Sequence, residues 1–198
     1  MSHVRKIAET PWCNWYHCMG NTYATWLPGD PRGFRTRWER EQIDGDYRYP
    51  PPKGKYAARF QKSRVLMKRE KVLLTLQQRR RAVDEIVKPL LKWKIELVVI
   101  VIDRVHLHAL ARFPDRDPRH FIGLAKKESS AYMKRDGLAP DGGLSAIKCE
   151  CVPLTDRAHY DSVERYNTDH QTEGAIVWHR PVAPPLSEMD LSAFVLVE

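Results

Sequence analysis

Between Ile95 and Phe113 the chain carries two apolar runs back to back, "IELVVIVID" and "RVHLHALARF". The first is a β-branched stretch of the length of one strand and reads as a buried strand. The second reads as its hairpin partner, with a tight turn near Asp103 and Arg104. This hairpin limits the fold more than any other stretch, because a buried strand pair must be the centre of a sheet. It also contains an anomaly. His106 and His108 are two residues apart, and residues i and i+2 of a strand point to the same face. Two imidazoles thus project together from an otherwise apolar strand, with Leu107 facing the other way.

The segments around the hairpin supply the rest of a sheet-and-helix domain. "TYATW" (22–26) reads as a strand, followed by consecutive turns in "LPGDPRG". Residues 35–60 are polar, with a proline run at 50–52, and look like an excursion over the surface. "LTLQQRRRAVDEIVKPLLKWK" has apolar residues at helical spacing, with Thr75 as cap and Pro89 expected to bend or end it. "DPRHFIGLAKKESSAYMKRDG" is a helix closed by Gly137, and "GLSAIKCECVPL" another strand. "TDRAHYDSVERYNTDHQTEG" is a last helix, capped near Thr155 or Asp156 and closed by Gly174, and "AIVWHRP" a short edge strand. This order predicts an α+β domain of the ferredoxin-like kind: an antiparallel sheet with helices on one face, plus a C-terminal helix. With 198 residues the expectation is one domain over 1–198. It has an insertion at about 35–75 and a weakly patterned tail from about 180.

Charge speaks to partners. The chain carries a formal +8, with basic runs at 68–71, 78–82 and 125–127. That balance favours a polyanion, nucleic acid being the commonest, although a merely soluble basic surface would also explain it. The longest apolar run, Leu97 to Ile102, is too short for a membrane span, and the first residues lack the apolar core of a signal peptide. The expected setting is the cytoplasm, in association with the nucleoid. In that setting Cys13, Cys18, Cys149 and Cys151 read as small buried thiols rather than disulfides, and their spacing fits no common zinc module.

Two parallel imidazoles form half of a divalent-metal site, although an H-x-H pattern alone is weak and two histidines on a solvated strand face would give the same pattern. The last helix raises its value. In "ERYNTDHQ", Tyr166 and His170 are four residues apart and share a helix face. A metal at the histidines would polarise a phosphate oxygen, and Tyr166 would attack phosphorus. On the middle helix Lys126, Lys127, Lys134 and Arg135 are placed to hold phosphates. Trp12, Trp15, Trp26 and Trp93 are candidates to stack bases, although core packing is the commoner role of a tryptophan.

The hydrophobe-flanked His106-Leu107-His108 resembles the His-hydrophobe-His motif of the HUH endonucleases. The helix with one tyrosine followed four residues later by a polar side chain looks like that of the single-tyrosine, IS200-like transposases. The run Tyr160, Tyr166, His170 is similar to the REP-associated tyrosine transposases, and "TYATWLPGDPRGF" to the first strand and turn of such relatives. The resemblance covers roughly residues 20–178. It implies a ferredoxin-like fold and Mg²⁺ or Mn²⁺ held by His106, His108 and His170. It also implies cleavage of single-stranded, hairpin-containing DNA through a 5′-phosphotyrosine on Tyr166. The family's third ligand is typically Gln or Asn, whereas His170 stands at the matching position with Gln171 beside it. The resemblance leaves open whether the site forms within one chain or across a homodimer. A non-catalytic nucleic-acid-binding protein on the same fold is the rival expectation, and a metal-dependent hydrolase of small phosphoesters a third that would not explain the charge.

Overall fold

The computed structural model describes residues 12–32, 52–114 and 117–181. Most of the proposed insertion's first half and the tail after 181 lie outside these residues. The elements are β1 (Trp15–Thr22), α1 (Ala57–Val65), α2 (Leu76–Lys92), β2 (Glu96–Ile102), β3 (His106–Arg112), α3 (Pro118–Arg135), β4 (Ser145–Pro153), α4 (Arg157–Asp169) and β5 (Ile176–His179). The five strands form one sheet in the order β4-β1-β3-β2-β5. Every neighbouring pair is antiparallel. The molecule is therefore α+β, with four helices among the described residues. None of those helices is long and apolar enough to cross a membrane.

The β2–β3 hairpin turns at Asp103, as its sequence requires. Asp103 Oδ1 accepts from the backbone amides of Val105 and His106, both at 2.5 Å, the local side-chain turn that Asp favours. β3 is the central strand. Its neighbour β1 lies earlier than the sequence suggested: it is the run "WYHCMGNT", not "TYATW". Thr22 is the last strand residue, and Ala24 has a φ of 58°, which turns the chain away. Asn21 then stands opposite His106, Met19 opposite His108, and His17 opposite Leu110.

The sheet separates two different cores. On one face Leu97, Ile100, Ile102, Leu107, Ala109 and Ala111 pack against α2 and α3. On the other Val99, Val101 and Leu110 pack against Val163 of α4. α2 and α3 thus share a face, and α4 covers the opposite one.

The helix ends follow their caps. Thr75 and Gln78 close a capping box on α2. Asp117 caps α3, with Pro118 in its first turn. Asp156 caps α4 through His159 N. Pro89 was expected to bend or end α2, yet the helix runs on to Lys92. Pro89 removes its own donor and crowds the Glu85 carbonyl one turn back, but only three residues of helix follow it. Burial of Pro89 and of Leu90 beside it offsets that loss.

Candidate functional site

The face under α4 holds a cluster of rings drawn from three elements. His106 and His108 come from β3, as the strand period dictates, with centroids 5.9 Å apart. His17 comes from β1, its Nε2 3.3 Å from His108 Nδ1. Tyr166 comes from α4 and His170 from the residue that ends it, one turn on, with centroids 4.7 Å apart. The Tyr166 ring stands edge-on to His108 at 5.5 Å and to His17 at 6.1 Å. The His170 ring stacks on His108 at 5.0 Å. At His170 the helix tightens into a single 3₁₀ turn, closed by Gly174 in the left-handed conformation. Gln171 is consequently exposed, and His170 is the one that reaches the histidines.

The electrostatics keep the His108 and His17 imidazoles neutral. Burial pushes His108 down to about 3, and the neighbouring His17, His170 and His106 add to the shift. Burial likewise lowers His17 to about 4, with charge on His159 acting in the same direction. The Asn167 carboxamide, fully buried on α4, lies beside His17 and favours its charged form. Neither of its polar atoms closes a well-formed hydrogen bond. Burial would raise the Asp103 carboxyl, but hydrogen bonds from His106 and from the amides of Val105 and His106 outweigh it and hold it at about 2. Asp103 Oδ2 lies 3.1 Å from His106 Nδ1.

Each strand histidine is thus held at Nδ1, His106 by Asp103 and His108 by His17. That leaves Nε2 of each as the atom a ligand would meet, the arrangement in which an outer partner fixes tautomer and ring orientation. His108 Nε2 is buried without a hydrogen-bond partner. A buried ring nitrogen left bare costs roughly 1–3 kcal/mol, and a metal ion is a partner that would satisfy it. Among the described residues, no three His, Cys, Asp or Glu side chains are gathered closely enough to hold an ion. The donor chemistry nonetheless fits a divalent cation at His106 and His108, with His170 beside them. Tyr166 is 49% exposed at the edge of the cluster.

Other residues named from the sequence lie elsewhere. Lys126 is 5% exposed and sits on the α2–α3 side of the sheet. Its Nζ donates to Ala146 O at 2.7 Å, and burial lowers its pKa. It cannot serve as an open phosphate contact, because its charge is already spent inside the fold. Lys127, Lys134 and Arg135 are exposed on α3. Lys134 pairs with Asp141 at 2.7 Å, and the Arg135 guanidinium lies over the Tyr132 ring. The structure brings none of these four to the rings. Trp12 and Trp15 pack on Tyr160, and Trp93 on Phe121. Trp26, by contrast, is 37% exposed beneath Arg32. The four cysteines are free thiols, with Cys149 and Cys151 Sγ 3.6 Å apart.

Sequence reasoning missed His17 and Asn167. Once β1 is placed at 15–22, alternation puts His17 on the histidine face, so the signal was present but assigned to the wrong run. No protein-family model matches the chain, and no curated protein is significantly similar to it.

Proposed function

We propose that the chain is an HUH-type, single-tyrosine enzyme that nicks and rejoins single-stranded DNA in transposition or a domesticated derivative of it. The observation that carries this reading is the placement of the exposed Tyr166 ring 5.5 Å from His108, with His170 between helix and strand. A tyrosine, a same-face histidine pair and a polar residue one turn beyond the tyrosine are the parts such chemistry needs. The strand order β4-β1-β3-β2, with α2 and α3 on one face, supports the ferredoxin-like topology of that family.

Tyr166 Oη forms a bond to phosphorus as the P–O3′ bond breaks. The phenolic proton is given up and the departing 3′ oxygen gains one. The products are a 5′-phosphotyrosine and a free 3′-hydroxyl. The phosphodiester energy is conserved in that linkage, so rejoining runs the same step backwards without a nucleotide. A phenol with pKa near ~10 is a weak nucleophile at neutral pH, so the scissile phosphate must be made electrophilic. Mg²⁺ or Mn²⁺ at His106, His108 and His170 would supply that polarisation. Asp103 and His17 hold the two strand imidazoles in the ligating tautomer. Leu110 and Val163 form the dry floor beneath.

The test is incubation with labelled single-stranded, hairpin-containing DNA and Mn²⁺. Wild type should give a covalent protein–DNA adduct. Tyr166→Phe should lower the adduct by at least ~10³-fold while leaving the melting temperature unchanged, since only the attacking oxygen is lost. Binding of DNA by the wild type with no adduct under any metal would favour the non-catalytic binder. Adduct formation by Tyr166→Phe would move the nucleophile to another tyrosine.

A further inference from the structure

The charge of this chain is concentrated in one place. Residues 53–71 contain eight basic side chains against Glu70 alone, a net of +7, whereas the whole chain carries +8. The segment comprises α1 and the extended stretch that follows it. α1 contributes no buried residue to either core. Lys62, Arg64, Lys68 and Lys71 are all exposed and form no ion pair among the described residues. A helix that buries no residue and carries exposed cations such as Lys62 and Arg64 is costly to keep unless an anion covers it.

The segment is nevertheless fastened in position. Ser63 Oγ donates to Pro28 O at 2.9 Å. Arg69 is used for structure: its guanidinium donates to Gly142 O and Gly143 O and lies 4.1 Å over the Tyr23 ring. Gly29, with φ +88°, lies so close to the start of α1 that a Cβ there would stand 2.4 Å from Phe60 N. Beyond α1 the chain runs along the end of the sheet that carries His106. Val72 N donates to Tyr23 O, and Leu74 N to Arg104 O in the β2–β3 turn. Thr22, next to the residue opposite His106, donates its hydroxyl to Val72 O. Val65 and Leu66 then stand 74% and 69% exposed among the cations, an apolar tip suited to sugars or unstacked bases.

We infer that α1 and the stretch to Lys71 form the surface that holds the nucleic-acid backbone leading into the ring cluster, with Lys62, Arg64, Lys68 and Lys71 as its phosphate contacts. This rests on the proposed DNA chemistry of the site and names the surface that recruits the strand. It displaces α3 from that role. A backbone already in place spares the cost of ordering the segment when a polyanion binds, and each phosphate neutralised releases counterions.

The experiment measures anisotropy of a fluorescein-labelled single-stranded oligodeoxynucleotide against the full chain at ~50–300 mM salt, together with adduct formation. The K62Q/R64Q/K68Q/K71Q variant should bind about 10- to 100-fold more weakly at ~100 mM salt, and its salt slope should fall by about 3. At saturating DNA its adduct rate should match wild type. A K92Q/K94Q variant, which neutralises exposed cations at the far end of α2, should keep the wild-type slope. A wild-type slope in the quadruple variant would overturn the inference and leave the adduct chemistry standing. So would a slope lost instead with Lys127, Lys134 and Arg135. A wild type that binds anionic vesicles but no oligonucleotide would overturn both. Folding is checked by melting temperature, which four exposed, unpaired side chains should not move.

Discussion

The two faces of the sheet, built from alternate residues of the same strands, follow opposite rules. The face under α2 and α3 is apolar, and the charges buried there are partnered: Lys126 donates to a backbone carbonyl, and Glu85 pairs with Arg81 and Lys88. The face under α4 begins as dry, at Val99, Val101 and Leu110, and becomes a cluster of aromatic and imidazole rings two residues along β3. There a buried His108 Nε2 lacks a hydrogen-bond partner and the fully buried Asn167 amide closes no good bond. Among the described residues most of the buried polar atoms without a hydrogen-bond partner, on His108, Asn167 and His170, lie on the α4 side. Tolerated polar dissatisfaction of this kind marks a site kept for function rather than stability.

The sharpest way to break this contrast uses adjacent residues. Leu107→Ala, on the dry face, should cost ~2–5 kcal/mol in chemical denaturation. His108→Leu replaces a ring of similar bulk whose Nε2 is unsatisfied. Relief of that Nε2 and loss of the His17 contact oppose each other, so the change should cost no more than about 1–2 kcal/mol while abolishing metal-dependent cleavage. Equal costs at the two positions would mean that the two faces do not differ.

Next in size is His17. With His108 bound through Nε2, its Nδ1–H donates to His17 Nε2, so His17 orients a ligand without touching the ion. His17→Ala should weaken Mn²⁺ binding, read by electron paramagnetic resonance, by about 10- to 100-fold, and His17→Gln should recover much of it. An unchanged affinity would make His17 mere packing.

A smaller effect is expected from pH. His17 and His108 titrate near 4 and 3 in the folded state and near ~6.5 when unfolded. Their folded pKa values are depressed, so between pH ~6.5 and these values the unfolded chain binds more protons. The stability from keeping them neutral is present above pH ~6.5 and is lost as pH falls. The slope is at most about 1.4 kcal/mol per pH unit for each histidine. Denaturant midpoints in chelator from pH 7 to 4 measure it, and a flat profile would show that the rings are not sequestered. The smallest effect belongs to Gln171→Ala, under twofold on Mn²⁺ affinity, against a clear loss for His170→Ala. The reverse order would mean that α4 is rotated about 100° from the arrangement described.

The legible parts of this molecule were those set by near neighbours in sequence. The β2–β3 turn, the Thr75 and Asp156 caps and the Gly137 and Gly174 ends each follow from residues within a few positions. So does the shared face of Tyr166 and His170. What escaped depends on distant pairing. β1 was misplaced because "TYATW" has better strand composition than "WYHCMG", and only pairing with β3 and β4 settles the choice. His17 was lost with it. Lys126 looked like surface because amphipathic spacing does not report that a lysine stem will cross a core to reach Ala146 O. α1 escaped because its sequence has no apolar face to read.

The position of β1 between β3 and β4 has a consequence in time. Its partners lie about 90 and 130 residues away along the chain, and closing such contacts is slow, because long loops are ordered before any pairing rewards them. The rings themselves come from positions 17, 106, 108, 166 and 170. No fragment, and no half-made chain leaving the ribosome, holds Tyr166 against both strand histidines, so the ring cluster comes into being only when the long-range strand pairs have formed.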